Sequence, residues 1–519
     1  MKYLPLVYLS TFSVGAYAGT LVSSSPPANI SGPVAKAFLS YSIEFAWFAE
    51  YSGNLSHPNT FTNHLLNNFN DVQGHKPYLR VGGNTQDNAL FDPLLKVAVN
   101  GTFGNPDIAY PTTLTYGESF FEGYQVFDNV KFSQGFNLGA NGTVGFNNLK
   151  STLPLACKAL NESNLAYFEI GNEADQYASK KSNRGPIRAA GWNVSLWLDD
   201  WRNRSATLES LYAESGCENT PFRLTAPSFA GKTWIEPAFE AGFADYAENV
   251  TIIAAHSYVA GANSLGVTLQ DTLMNHATTK SVVDGHVDLM SAVAPYTDLP
   301  YMIGEGNSLS SQGKSGVSNS FGAALWNIDF ALYAASVGIW RIHLHNGVGY
   351  NYAAWHPSSW NGTTPVTKAP YYGNIATAAT LGNVARNKTQ ISSIPMSNTT
   401  DSAYAIYKDG SLASIAILNM AGYNYTKPPT TRPSKTYSFS ISDESKYKAG
   451  SVKRLMANGS DAITGITWDG YSYNYNLANG KPSRLTNITN SEQEEPVKVI
   501  NGAFNVTLPH SSFTLVELA

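Results

Sequence analysis

The sequence predicts a closed (β/α)8 TIM barrel followed by a C-terminal all-β sandwich, and three observations predict it. From residue 38 to residue 386, short β-branched or aromatic runs alternate with longer amphipathic ones, the pattern of repeated βα units. Eight strand-like runs fall in that span, the number that closes a parallel barrel; an open doubly wound sheet is the competing arrangement. Beyond residue 386 the chain turns to Ser/Thr/Tyr/Asn-rich alternation without a long helical pattern, as in a sandwich.

The elements follow in order. Met1 to Ala18 reads as a secretory signal: a lysine, an apolar stretch, and Ala16-Tyr17-Ala18 as a small-x-small cleavage pattern. The segment 19–37 precedes the first barrel strand and is expected to lend an edge strand or linker to the sandwich. The catalytic barrel is placed at 38–386, with strand runs at 38–48, 76–83, 131–139, 165–173, 222–229, 250–258, 299–306 and 337–347. Helical periodicity is clearest in FTNHLLNNFNDV, VSLWLDDWRNRSATLESLYAES and SNSFGAALWNIDFALYAASV. The sandwich is placed at 387–519, where AYAIYKDGSLASIAILNM, TYSFSISDES and AFNVTLPHSSFTLVEL alternate between turn signals.

Composition narrows the function. With 33 Lys+Arg against 38 Asp+Glu and a net charge of -5, no broad cationic surface serves a nucleic-acid backbone or an anionic membrane. Fifteen N-x-[ST] sequons, from Asn29 to Asn505, point to a secreted protein carrying N-linked glycans. Cys157 and Cys217 are the two cysteines, so one disulfide is available and the fold cannot depend on a cystine framework. No segment after the leader has about 18 uninterrupted apolar residues. A soluble extracellular product is expected.

In such a barrel the C-terminal strand ends face the active site. Strand four ends in Glu173 and strand seven in Glu305. A carboxylate at the mouth of an apolar strand is costly unless it is paired or used. A pair about 5 to 5.5 Å apart is what a retaining glycosidase requires, one protonating the leaving oxygen and the other attacking the anomeric carbon. Arg80 is placed to hold a neighbouring carboxylate ionised, and Tyr258 to donate its hydroxyl to the same group. Asn172 offers an amide, and Glu44 an acceptor, to sugar hydroxyls. Trp47, Trp340, Tyr350, Tyr352 and Trp355 are candidates for a sugar face, with core packing the commoner use of such rings.

Taken together, SIEFAWF, LRVGGNTQD, EIGNEAD and GEGNS resemble glycoside hydrolase family 79, which includes fungal β-glucuronidases and animal heparanases. The resemblance spans nearly the whole mature chain. It implies a barrel with a sandwich after it, Glu173 as acid/base, Glu305 as nucleophile, sugar contacts from Glu44, Asn172, Tyr258 and Tyr352, and no metal or organic cofactor. The implied substrate is a uronic-acid-containing glycan or a glucuronide. Several family members carry a tyrosine five residues after the nucleophile, followed by glycines, and hold the uronate carboxylate with that hydroxyl and a backbone amide. Here Ser310 stands at that position, which passes the task to Ser311, the Gly313 amide or Lys314 and makes a neutral sugar the leading alternative substrate.

Other chemistries fit less well. Gly313-Lys314-Ser315 lacks the upstream glycine of a phosphate-binding loop, since position 308 is serine. His256, His343 and His345 provide a zinc reading, set aside because no carboxylate is expected beside them. No G-x-S-x-G elbow is present. A non-catalytic carbohydrate-binding protein is the rival class, disfavoured because both glutamates are present.

Overall fold

The structure is a computed structural model and describes residues 19–104, 109–179, 181–182, 185–360, 362, 364–427, 431–485 and 495–519. The leader at 1–18 lies outside the described residues. Eight parallel strands close a barrel in chain order: β1 Leu39–Glu44, β2 Leu79–Gly82, β3 Phe132–Phe136, β4 Leu165–Ile170, β5 Leu224–Phe229, β6 Val250–Gly261, β7 Tyr301–Ser310 and β8 Arg341–Asn346. Closure is made by β8 on β1, with His343 opposite Ser40, which disposes of the open sheet. The two-residue period sends Tyr41 outward onto Phe69 and Trp355 while Ser42 and Glu44 face the lumen. Every β1 residue is buried.

The helices α1 Thr60–Gln73, α2 Gly142–Ala159, α3 Val194–Glu214, α4 His276–Val293, α5 Phe321–Ser336 and α6 Ala369–Leu381 form the outer ring. Asn59 caps α1 by accepting from the Thr62 amide, and Gly74 ends it in the left-handed region. Asn193 caps α3 in the same way. The ring departs from the repeat between β2 and β3. That connection is a three-stranded sheet, Ala89–Phe91, Val99–Thr102 and Thr113–Tyr116, followed by a 3-10 helix at Glu118–Gln125. The first strand run also stops early: residues 45–52 coil into short helical turns that bury Phe45, Phe48 and Tyr51 against Phe120, Tyr124 and Trp355. Strands β6 and β7 run longer than their sequence patterns, because they remain paired as far as Gly261 and Ser310.

The C-terminal domain has two sheets. The larger begins β9 Thr389–Ile394, β10 Asp401–Lys408 and β11 Ser411–Asn419; the smaller contains β12 Ser434–Ile441 and β13 Ala503–Pro509, with Thr20–Val22 added parallel to β12. Val22, Ile415, Ile417, Phe439, Phe504 and Val506 form the core between them. The opposite face of the larger sheet puts Tyr404, Ile406, Ala416 and Leu418 into the barrel's own core. At that seam Asp329 of α5 accepts a 2.7 Å bond from the Tyr404 hydroxyl and a 3.0 Å contact from His276. A disulfide joins Cys157 of α2 to Cys217 just beyond α3. Among the described residues no helix is long and apolar enough to cross a membrane.

Candidate active site

The barrel mouth is organised around Arg80 of β2. Its Nε donates to Glu169 Oε2 at 2.9 Å, its Nη2 to Glu169 Oε1 at 2.5 Å and to Asn172 Oδ1 at 2.8 Å, and its Nη1 to Ser42 Oγ at 2.9 Å and Glu305 Oε2 at 2.8 Å. A guanidinium has five N–H donors in a rigid fork, and here all five are used. The other oxygen of Glu305 accepts from the Tyr258 hydroxyl at 2.8 Å. Burial alone raises the Glu305 pKa; the neighbouring His345, His256 and Arg80 charges and the Tyr258 bond outweigh it and hold the carboxyl well below the usual range. Burial and then Glu305 push the Tyr258 phenol well up, so it remains a donor.

Glu173 follows β4 with φ at +50°, in the left-handed region. A non-glycine residue there is strained and persists only when its surroundings fix it. The fixing groups are visible: the Glu173 amide donates to Ser228 O at 2.9 Å, and Asp87 takes the Asn172 amide at 2.8 Å and the Tyr177 hydroxyl at 2.7 Å. His256 Nδ1 lies 3.0 Å from Glu173 Oε1 and 3.9 Å from Glu305 Oε1. One ligand atom from each of Glu173, His256 and Glu305 can be chosen so that all lie within 4.8 Å of one another. The expectation that no carboxylate approaches His256 is therefore corrected. The two His256 distances fall on either side of the roughly 3.4 Å between ligands about 2.1 Å from a tetrahedral metal, and both Glu305 oxygens are already bonded, Oε2 to Arg80 and Oε1 to Tyr258. His343 sits deeper, with Nδ1 3.2 Å from Tyr41 O.

Several sequence-predicted residues occupy positions more constrained than their sequence reading. Glu44 is buried and receives four donors: the Thr85 amide at 2.8 Å and hydroxyl at 2.7 Å, Tyr350 at 3.1 Å and His345 at 3.4 Å. Asn172 is tied to Arg80 and to Asn84 at 3.3 Å. Tyr352 packs beside Tyr258 and His345 with centroids 6.1 and 6.2 Å apart. Ser310 ends β7 opposite Gly261. Beyond it Ser311, Gln312 and Gly313 are successively left-handed, at φ +56°, +67° and +76°. A Cβ on Gly313 would come within 3.0 Å of the Tyr352 ring. The Lys314 ammonium is turned to Val267 O at 3.1 Å.

Of the aromatic candidates, Trp340 precedes β8 and bonds through its amide to Tyr301 O, at the barrel end opposite the site. Trp355 is core, in edge contact with Tyr41 and Tyr51. Trp47 bonds Ala109 O at 2.9 Å and packs on Phe103 and Trp360. Sequence reasoning gave no role to Glu169, Ser42, Thr85 or Ser228. The one signal for Glu169 was a carboxylate inside the otherwise apolar run of β4, and that signal does not name its partner.

A parallel barrel that brings two carboxylates this close at the ends of strands four and seven, one clamped ionised, defines a glycoside hydrolase. Residues 403–515 match the glycosyl hydrolase family 79 C-terminal beta domain. The chain is 44% identical over 512 residues to a β-glucuronidase of Aspergillus niger, covering 96% of this chain and 93% of that protein. It is also 44% identical to a Neurospora crassa β-glucuronidase, covering 93% and 92%. The chain belongs to glycoside hydrolase family 79. Among solved structures, a 4-O-α-L-rhamnosyl-β-D-glucuronidase from Fusarium oxysporum superposes with a TM-score of 0.77 at 25% identity, over 96% of this chain and 100% of that one. A family 51 α-L-arabinofuranosidase from Bifidobacterium longum, at 14% identity and a TM-score of 0.60 over 96% and 99%, shares the fold.

Proposed function

We propose that this protein is a secreted retaining exo-β-glucuronidase that releases terminal β-linked glucuronic or 4-O-methyl-glucuronic acid from glycans or glucuronides. The observation that carries the reading is Glu305, ionised between Arg80 and Tyr258 and within 4.8 Å of Glu173. In the first step a Glu305 oxygen bonds to the anomeric carbon while that carbon's bond to the leaving oxygen breaks. The bonding pair goes to that oxygen, which takes the proton of Glu173. In the second step Glu173 removes a proton from water, which displaces Glu305 and retains the β configuration. His256, 3.0 Å from Glu173, orients the acid/base.

The glucuronidases at 44% identity support glucuronate as the sugar. For its carboxylate the candidate is the turn Ser311–Gly313 beside Tyr352, although the Gly313 amide already donates to Ser310 O at 3.4 Å and would have to exchange that bond for the anion. Lys314, bonded to Val267, is not available without moving. Serine at 310 and this committed lysine favour the second reading, a neutral β-glycoside. Secretion is supported by the leader-like 1–18, the sequons and the Cys157–Cys217 disulfide, which belongs to an oxidising compartment. N-linked glycans follow from the same route.

The test is hydrolysis of p-nitrophenyl β-glucuronide against the β-glucoside and β-galactoside, with proton NMR of the first anomer released. Preference for the glucuronide with β product supports the reading. Preference for a neutral sugar moves the substrate and keeps the chemistry, and α product overturns retention.

A further inference from the structure

We propose that Glu169 is a positioning residue for the reaction: it is the standing counter-ion of Arg80, fixing the guanidinium so that one N–H is aimed at Glu305. The role presupposes the glycosidase reading above. Glu169 lies on β4 with 1% of its surface exposed. It takes the Nε and Nη2 edge of Arg80, and its Oε2 accepts from Ser228 at 3.1 Å. Because the two Glu169 bonds use one whole edge of a planar fork, Nη1 is left in a single direction, toward Glu305 and Ser42.

Charge accounting gives Glu169 a second consequence. In the resting site one guanidinium faces two carboxylates, Glu169 and Glu305. When Glu305 bonds to the sugar it loses its negative charge, and Glu173, having given its proton to the leaving oxygen, gains one. Arg80, buried, is then balanced by Glu169 alone. Without the Glu169 charge two effects arise. Arg80 binds the ionised Glu305 undivided, making it a poorer base and nucleophile, and the covalent intermediate leaves a buried cation unpaired, which is costly. Both oppose formation of the glycosyl-enzyme, and neither touches the sugar.

Glu169→Gln in the full chain tests this with p-nitrophenyl β-glucuronide. Glutamine keeps the size and one acceptor and removes the charge. The expected result is a fall of about tenfold or more in kcat at unchanged KM, and an acid limb of kcat/KM moved to lower pH. Glu169→Asp keeps the charge and is expected to return the limb to its wild-type position even where kcat stays low. If wild type is active and Glu169→Gln keeps its kcat and pH profile, the role falls while the glucuronidase reading stands. If wild type leaves the glucuronide, glucoside and galactoside all intact, both fall. Thermal melts separate these outcomes from misfolding. Should the glutamine variant not fold, a folded Glu169→Asp whose limb departs from wild type overturns the role.

Discussion

Tyr258 and Glu305 are joined by a 2.8 Å hydrogen bond to the carboxylate oxygen that Arg80 does not reach. The phenol lies on β6, adjacent to β7, in the register that sets Tyr258 opposite Asn307, two residues beyond Glu305. Its bond is one of the influences that hold Glu305 below the usual carboxylate range, after burial, which acts the other way, and the charges of His345, His256 and Arg80. Tyr258→Phe is therefore expected to raise the acid limb of kcat/KM toward higher pH, opposite in sign to Glu169→Gln. A hydrogen bond to a charged group contributes about 1.5–3 kcal/mol, or about one to two pH units in the position of that limb. A pH–rate profile of the variant checks both, and an unmoved limb would place Tyr258 outside the control of Glu305.

The two glutamates are expected to fail differently. Glu305→Gln removes the nucleophile and reduces kcat by on the order of 10^4-fold for every leaving group. Glu173→Gln removes a proton donor, at about 10^2- to 10^4-fold. For the first step its deficit shrinks as the leaving group becomes more acidic and needs less protonation. Comparing p-nitrophenyl with alkyl β-glucuronides separates them, and the same deficit across leaving groups for Glu173→Gln would remove it from the acid role.

These glutamates were legible because each closes an apolar run of the sequence, where an unpaired carboxylate has no cheap explanation. Glu169 was not, although it lies in the same EIGNE segment. Its meaning depends on Arg80, 89 residues away, and single-strand patterning carries no information about partners across a barrel. Glu44 shows the same limit. Its position at the end of β1 was readable, but the four donors that occupy it come from Thr85, Tyr350 and His345, in the chain after β2 and after β7. Trp340 was misjudged by a few residues of strand boundary, which is enough to exchange the two ends of a barrel. The β2–β3 connection, with its small sheet in place of a helix, has no 3.6-residue periodicity to reveal it.

The Cys157–Cys217 bond closes a loop of sequence separation 60 between α2 and the turn after α3. Loop closure of that length is worth about 4 kcal/mol. The double serine variant is expected to lose about that much in a denaturant titration while retaining wild-type KM, since neither cysteine contributes to the barrel mouth. A changed KM would show that the site depends on this outer staple.

The seam between barrel and sandwich carries its own pH dependence. Asp329 is buried, which raises its pKa, but hydrogen bonding from His276 and the nearby His276 charge outweigh this and lower it. His276 is the converse: burial lowers its pKa, and the bond and charge of Asp329 more than reverse this and raise it. Tyr404 of the sandwich donates to the same carboxylate. The lowered Asp329 contributes stability that is present above the ordinary aspartate value of 3.8 and is lost as pH falls through its folded value. The raised His276 contributes stability that is full below 6.5 and is lost as pH rises through its folded value. The two overlap between about 4 and 6.5, so the seam is expected to be strongest in mild acid. Asp329→Asn leaves His276 and Tyr404 facing a neutral amide, and breaking one partner of a buried pair costs about 3 kcal/mol or more. Thermal melts across pH should show wild type most stable in that window and the variant lower there, with a flatter profile. A variant that keeps the wild-type profile would mean that the pH dependence of the fold arises elsewhere, leaving the apolar contacts of Tyr404, Ile406, Ala416 and Leu418 to hold the two domains together.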